Sequence, residues 1–463
     1  MIYQTIDQLK RNIINVLTID KGDVVVLNER HLKDDLIDDL IYSAIFSPDD
    51  EVKLSARWLI RRAGARMGCM LFSIQPLYDA MGNDRVSGFT VPAINIRGIT
   101  FYSAQAVFRA ALKDKVGAFI FEIARSEIIY TDQRPSEYVA GIVAAAIKTG
   151  YHGPLFLQGD HFQVNAKKYL EDPEAETQAI KSLVREAIDA GFYNIDIDAS
   201  TVVDLNRPTI REQQEDNCSI TADITAMIRE IEPEGVVVSV GGEIGEIGDK
   251  NTTVEEFGVF MEGYLSVLQK KGGNLKGISK ISIQTGTTHG GVPMPDGSIA
   301  KVNIDFNILE KISKVARSEY GLSGAVQHGA STLPDEAFDK FPKTRTSEIH
   351  LATGFQNIIY DSNNFPANLR DRIYAYINTD LGSEKKEKDT EEQFIYKTRK
   401  KGFGRFKKDM WDISPDILKS IGEELEAQVS FLFDKLNLFG TADIVDRFVK
   451  PVDVTLKIPS LLR

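Results

Sequence analysis

The chain has 463 residues, 43% hydrophobic and 26% charged, which suits a globular protein with one large domain plus additions, or two domains. A net charge of -12 and a pI near 5.2 argue against a nucleic-acid footprint, although a local basic pocket can outweigh the overall field. Two cysteines, Cys69 and Cys218, without CxxC spacing, exclude a disulfide framework or zinc finger and predict a reducing cytoplasm. The N-terminal MIYQTIDQLKRN lacks an apolar core, and no apolar run is long enough to span a bilayer. The expectation is therefore no signal peptide and no membrane contact.

Residues 1–87 read as a helical N-terminal extension. LIDDLIYSAIF and VKLSARWLIRRAGARMGCML carry apolar residues at helical spacing, and SPDDE (47–51) supplies a cap and an acidic first turn for the second helix. The bland role for this block is packing or oligomerisation.

The pattern changes at about residue 88. Eight short β-branched runs follow: VPAINI (91–96), GAFIFEI (117–123), PLFLQG (154–159), YNIDID (193–198), VVVSVG (236–241), KISIQTG (280–286), SGAVQH (323–328) and SEIHLA (347–352). Helical stretches such as SAQAVFRAALKDK and ETQAIKSLVREAIDAG separate them. Strand alternating with helix predicts βαβ units and a parallel sheet. Eight such strands predict a (β/α)8 barrel over 88–381, with an open doubly wound sheet as the alternative. The polar residues favour the barrel, because only a closed ring gathers all strand ends at one mouth.

Residues 382–463 read as a charged segment followed by a helical tail. LGSEKKEKDTEEQFIYKTRKKGFGRFKKD (382–410) is dense in both charge signs. It predicts a solvated helix or loop, or, more sharply, a basic arm reaching a phosphate. SPDILKSIGEELEAQVSFLFDKLN then starts with Ser-Pro and keeps amphipathic spacing.

Three histidines end strand-like runs: His161 after PLFLQGD, His289 after KISIQTGTT and His328 after SGAVQ. Glu243 ends VVVSVGG in the same way, and His350 lies inside SEIHLATG. Imidazoles and a carboxylate at strand ends predict one divalent metal site held by His161, His289, His328 and Glu243. Asp160, beside His161, is a candidate proton-transfer group. GGEIGEIG (241–248) has glycines that allow tight turns after Glu243, whereas TGTTHGG (285–291) and QHGAST (327–332) place Gly290, Gly329 and Ser331 where backbone N–H groups can approach an anion. ATGFQN (352–357) places Thr353 at a helix start, a second anion position. Taken singly, each motif is also an ordinary βα loop; together they point to a metal site beside a phosphate site.

The order VPAIN, DH, DIDAS, GEIGEIG, TGTTHGG, QHGASTLPDE, LAT resembles class II (metal-dependent) ketose-bisphosphate aldolases, closest to the tagatose- and fructose-bisphosphate branch, over about residues 88–362. The resemblance implies a (β/α)8 barrel, catalytic zinc or another divalent metal, and a monovalent cation. It also implies reversible cleavage of a phosphorylated ketose through a metal-stabilised enediolate, in a homo-oligomer. By that likeness His161, His289 and His328 fall on the zinc histidines, Asp160 on the acid/base and Glu243 on the carboxylate near the metal. Gly290, Gly329, Ser331 and Thr353 fall in phosphate loops, and Asn95, Asp198, Ser200 and His350 fall among residues lining the mouth. Three positions depart from the pattern. Gln158 stands for a histidine, Thr332 for a glycine and His350 for a substrate-binding asparagine. The front 85 residues and the tail have no counterpart in the short members. Two alternatives remain at this point: a metal-dependent sugar or sugar-acid epimerase, and a non-catalytic companion subunit, whose GGDH segment QGDHFQVN is similar to.

Overall fold

Each of the eight runs after residue 88 forms a strand, and the strands close into a ring. The structure is a computed structural model that describes residues 1–245, 250–286 and 304–462. Three strands precede the barrel: β1 (Leu17–Asp20), β2 (Asp23–Val26) and β3 (Cys69–Phe72). The barrel consists of β4 (Val91–Asn95), β5 (Ile120–Ala124), β6 (Gly153–Gln163), β7 (Asn194–Asp198), β8 (Ser239–Glu243), β9 (Lys280–Ile283), β10 (Ala325–Gln327) and β11 (Glu348–Leu351). All neighbours pair in parallel, β6 pairs with β7, and β11 returns to β4, so no barrel edge is left open. The fold is the expected (β/α)8 barrel with helical additions. Strands buried on both faces explain why they read as continuous apolar runs rather than alternating ones. Among the described residues, no helix is long and apolar enough to cross a membrane.

The N-terminal block differs from the all-helical expectation. Its two long helices form at Ile37–Phe46 and Asp50–Arg66, and the Asp49 side chain caps the second by accepting from the Glu51 N–H. But LTIDKGDVVV folds as the β1–β2 hairpin, with Lys21 and Gly22 both at positive φ in its two-residue turn. The end of the second predicted helix, CML, becomes β3 instead. Gly68, at φ 82°, follows the helix end, and β3 then pairs with the first half of β6.

The segment 382–410 is solvated over residues 383–388, as expected, but docked from Phe394 onward. Arg399 is buried and forks onto Asp361 while also donating to Asn357; Lys407 pairs with Glu137. The tail helix Pro415–Lys435 has Ser414 at its cap position, but no side-chain hydrogen bond forms there. It lies against the helix Thr100–Asp114, joined by Arg109 to Glu426 at 2.6 Å.

Arg62 ties the two ends of the chain together. It is buried and donates to both carboxylate oxygens of Asp23 in β2 (2.7 and 2.8 Å) and of Asp453 in the tail (2.7 and 3.0 Å). The Arg62 hydrogen bonds hold the Asp23 carboxyl down to about 2. Because this folded value lies below the unfolded one of about 4, the stabilisation is complete above about pH 4 and is lost as the pH falls toward about 2. Arg62→Met should cost about 2 kcal/mol at neutral pH, since the carboxylates remain partly solvated. Denaturation of both proteins across pH should show this gap closing in acid; a gap unchanged down to about pH 2 would contradict the clasp.

Candidate active site

A parallel barrel brings all carboxyl-terminal strand ends to one mouth, and Asp160, His161, Glu243, His328, Gly329, Ser331, His350 and Thr353 gather there. The centre is an irregularity in β6. Gln158 and Gly159 pair with Asn194 and Ile195, whereas Phe162 and Gln163 pair with Ile197 and Asp198. Asp160 and His161 therefore oppose a single residue, a bulge that re-aims both side chains. His161 sits at φ 41°, a left-handed conformation that costs on the order of 1 kcal/mol or more for a non-glycine residue. Gly159 permits the turn, because a Cβ there would lie 2.5 Å from the Phe162 ring.

The imidazoles and carboxylates form one cluster. His161 Nδ1 lies 3.1 Å from Asp198 Oδ2 and 3.1 Å from Glu243 Oε2, and Nε2 faces Asp160 at 3.8 Å. The His161 and His328 ring centres are 4.0 Å apart, as are those of His328 and His350. His328 Nε2 is 2.6 Å from the Ser282 hydroxyl. His289 and Gly290 lie outside the described residues. Burial disfavours a charge on His161, but Asp160, Glu243 and Asp198 outweigh it and raise the ring well above its usual value. Burial, then the Asp198 charge, pushes Glu243 up to about 7. Ligand atoms of Asp160, His161 and His328 lie within 4.8 Å of one another, as do those of His161, Asp198 and Glu243.

Over this cluster opens a cavity of about 490 Å³. Asp160, His161, His328 and His350 form part of its lining, joined by Gly329, Ser331 and Thr353 from the loops after β10 and β11. Those loops touch: the Ala352 N–H donates to Ser331 Oγ at 2.6 Å, and a Cβ on Gly354 would be 3.2 Å from the Ser331 carbonyl oxygen. Five cations also line the cavity: Arg97, Arg125, Lys168, Lys397 and Lys400.

Three predicted substrate residues take other places. Asp198 is buried behind His161 and is fully used: Oδ2 accepts from His161 and Gln163, and Oδ1 accepts from the Ser200 N–H and hydroxyl. Ser200 thus braces Asp198. Asn95 is also off the cavity wall; its amide donates to Glu127 at 2.6 Å and accepts from Arg97 at 3.2 Å.

The family model described as "Fructose-bisphosphate aldolase class-II" matches residues 78–422. The chain belongs to the class II fructose-bisphosphate aldolase family. As a class II aldolase it is a lyase acting in carbohydrate metabolism. The matched span runs beyond residues 88–362 and includes the arm carrying Lys397 and Lys400, so that part of the tail does have a family counterpart. Among solved structures, a probable tagatose 6-phosphate kinase from Sinorhizobium meliloti 1021 shares the fold at 15% identity and TM-score 0.52, over 81% of this chain and 96% of that one. Fructose-bisphosphate aldolase from Campylobacter jejuni is 19% identical over 81% and 97% of the two chains, with TM-score 0.48. The YdjI aldolase from Escherichia coli K12 is 13% identical over 81% and 100%, with TM-score 0.48. No curated protein sequence matches the chain.

The family is typically metal-dependent, and the donor set of this aldolase fits a divalent ion. Two imidazoles and a carboxylate converge within reach of one another, and nitrogen with oxygen donors suits zinc. Asp198 and Glu243 grip His161 through Nδ1, the outer carboxylate contact that orients a ligating histidine.

Sequence reasoning missed a second polar layer inside the barrel, made of Glu122, Asp196, Lys280 and Glu348. The signal was present: FIFEI, NIDID, SKIS and SEIH each set a charged residue within an otherwise apolar strand. It also missed Arg97 and Glu127, which form a buried ion pair beside Asn95.

Proposed function

We propose that the enzyme reversibly cleaves a phosphorylated ketose of the fructose- or tagatose-1,6-bisphosphate kind into two trioses. The observation that carries this is the cavity above Asp160, with small-residue loops at Gly329, Ser331 and Thr353 and a separate set of cations. Arg97, Arg125 and Lys397 are already paired with Glu127, Glu176 and Asp389. Lys400 is not: among the described residues no ion pair holds it, and burial, with Arg97 nearby, lowers its ammonium pKa. An anion at the far end of a substrate would satisfy it.

Zinc, or another divalent metal, would be held by His161, His289 and His328, with Glu243 beside Asp198 on the Nδ1 edge of His161 rather than among the ligands, and would supply Lewis-acid stabilisation of the negative charge that develops as the C3–C4 bond breaks. Asp160 accepts the C4 hydroxyl proton in cleavage and returns it in condensation. Asp198, braced by Ser200, keeps His161 in register. The loops after β10 and β11 fix one phosphate through backbone N–H groups and hydroxyls. Cys69 and Cys218, both buried free thiols, support a cytoplasmic setting.

Product analysis with fructose- and tagatose-1,6-bisphosphate tests this. Triose phosphate release is expected; an epimeric sugar without triose, or activity only after mixing with a second aldolase, would overturn it. Lys400→Met should raise KM for a bisphosphate by about 10-fold or more, the loss of one charge-assisted hydrogen bond, with kcat nearly unchanged. Equal KM values for variant and wild type would remove Lys400 from the substrate site.

A further inference from the structure

Beneath the mouth, the barrel interior holds a charged network where packed aliphatic layers are usual. Lys280, at the start of β9, lies 2.9 Å from Asp196 and 2.5 Å from Glu348 Oε1, and donates to Gln158 Oε1 at 2.7 Å. Glu348 Oε1 also accepts from Gln158 Nε2 at 2.8 Å and faces His350 Nε2 at 2.7 Å. Tyr78 donates its hydroxyl to the other Glu348 oxygen. On its far side, His350 Nδ1 lies 3.0 Å from Asp160 Oδ1 and 3.0 Å from Glu122 Oε2. Lys280, Glu348, Gln158 and Glu122 are almost wholly buried, and none but Glu122 reaches the cavity.

A second cation does not belong here, because the Lys280 ammonium already bridges Asp196 and Glu348. Nor is stability a sufficient reason for the network, since buried ion pairs are often matched or bettered by apolar packing. What the network does have is direction. Every bond on Glu348 Oε1 fixes that oxygen, that oxygen fixes one edge of the His350 ring, and the opposite edge meets Asp160.

We propose that Lys280 is a positioning residue: acting through Glu348 and His350, it sets the orientation of the Asp160 carboxylate toward the substrate hydroxyl. Gln158 is part of the same device, tying Glu348 to Glu122. The inference rests on Asp160 being the proton-transfer group of the proposed cleavage.

The test uses the zinc-loaded full chain with Lys280→Met, and with Glu348→Gln as the milder variant, since it preserves side-chain shape and leaves Lys280 paired with Asp196. For cleavage of fructose-1,6-bisphosphate, kcat should fall about 100-fold in Lys280→Met, the effect of a misplaced group, while KM and zinc content hold. Glu348→Gln should show the same split with a smaller loss. Exchange of the dihydroxyacetone phosphate C–H proton with solvent, which does not use the C4 hydroxyl, should be unaffected. A parallel loss of exchange, a matching rise in KM, loss of zinc or an unchanged kcat would each overturn the proposal. A crystal structure of either variant reads the inference without any assay: a His350 ring turned away from Asp160 supports it, and an unmoved ring overturns it. Failure of the wild type to release triose would count against the proposed function alone.

Discussion

Replacing Asp160 with alanine is expected to lower kcat for triose release by about 10²- to 10⁴-fold, the usual worth of a general acid/base. Asp160 lies in the bulge of β6 on the cavity floor, where its carboxylate lines the cavity and one oxygen faces His350 at 3.0 Å. The main-chain irregularity depends on Gly159 and His161, and both stay in the variant. Fold and metal content should therefore survive, and His161 should still be gripped by Asp198 and Glu243. Steady-state kinetics with elemental analysis of the same sample checks the split. Turnover at the wild-type rate would show that another group moves the proton, and loss of metal with activity would make Asp160 chiefly a ligand.

Removing His161 should do the opposite: bound metal and activity disappear together. Its Nδ1 is held by Asp198 and Glu243, which fixes the direction of the ring as a ligand. Asp198→Asn keeps the shape but weakens that grip, and should reduce metal affinity by about 10- to 100-fold without abolishing it. Dialysis against a weak chelator, followed by metal analysis, ranks wild type above Asp198→Asn and Asp198→Asn above His161→Ala. If His161→Ala retained a full equivalent of metal, the site would have to be built from other residues.

The barrel was legible because its physical cause is visible in one dimension. Runs buried on both faces read as apolar strands, and GAFIFEI, YNIDID and SEIHLA fall on β5, β7 and β11. The mouth was legible for the same reason, since His161, Glu243, His328 and His350 end or sit in such runs and the ring collects them. What did not show was conformation that depends on partners. The β6 bulge arises from pairing with β7, and Gly159 alone announces it weakly. Asp198 and Asn95 carry polar groups at strand ends, but their hydrogen bonds go sideways, to His161, Arg97 and Glu127. The hairpin LTIDKGDVVV was lost to the helical patterns on either side, although its Lys-Gly pair is a turn signal. The arm at 391–405 has the composition of a solvated segment; the buried fork of Arg399 on Asp361 and Asn357, and Phe403 packed on Tyr360, pin it against the barrel.

The most direct test of the central claim is metal analysis of the purified enzyme, paired with triose phosphate release from fructose- and tagatose-1,6-bisphosphate before and after chelation. One equivalent of zinc, release of triose from at least one substrate, its loss on chelation and its return when zinc is restored are the results the site predicts. Triose release that persists after complete removal of metal would contradict it.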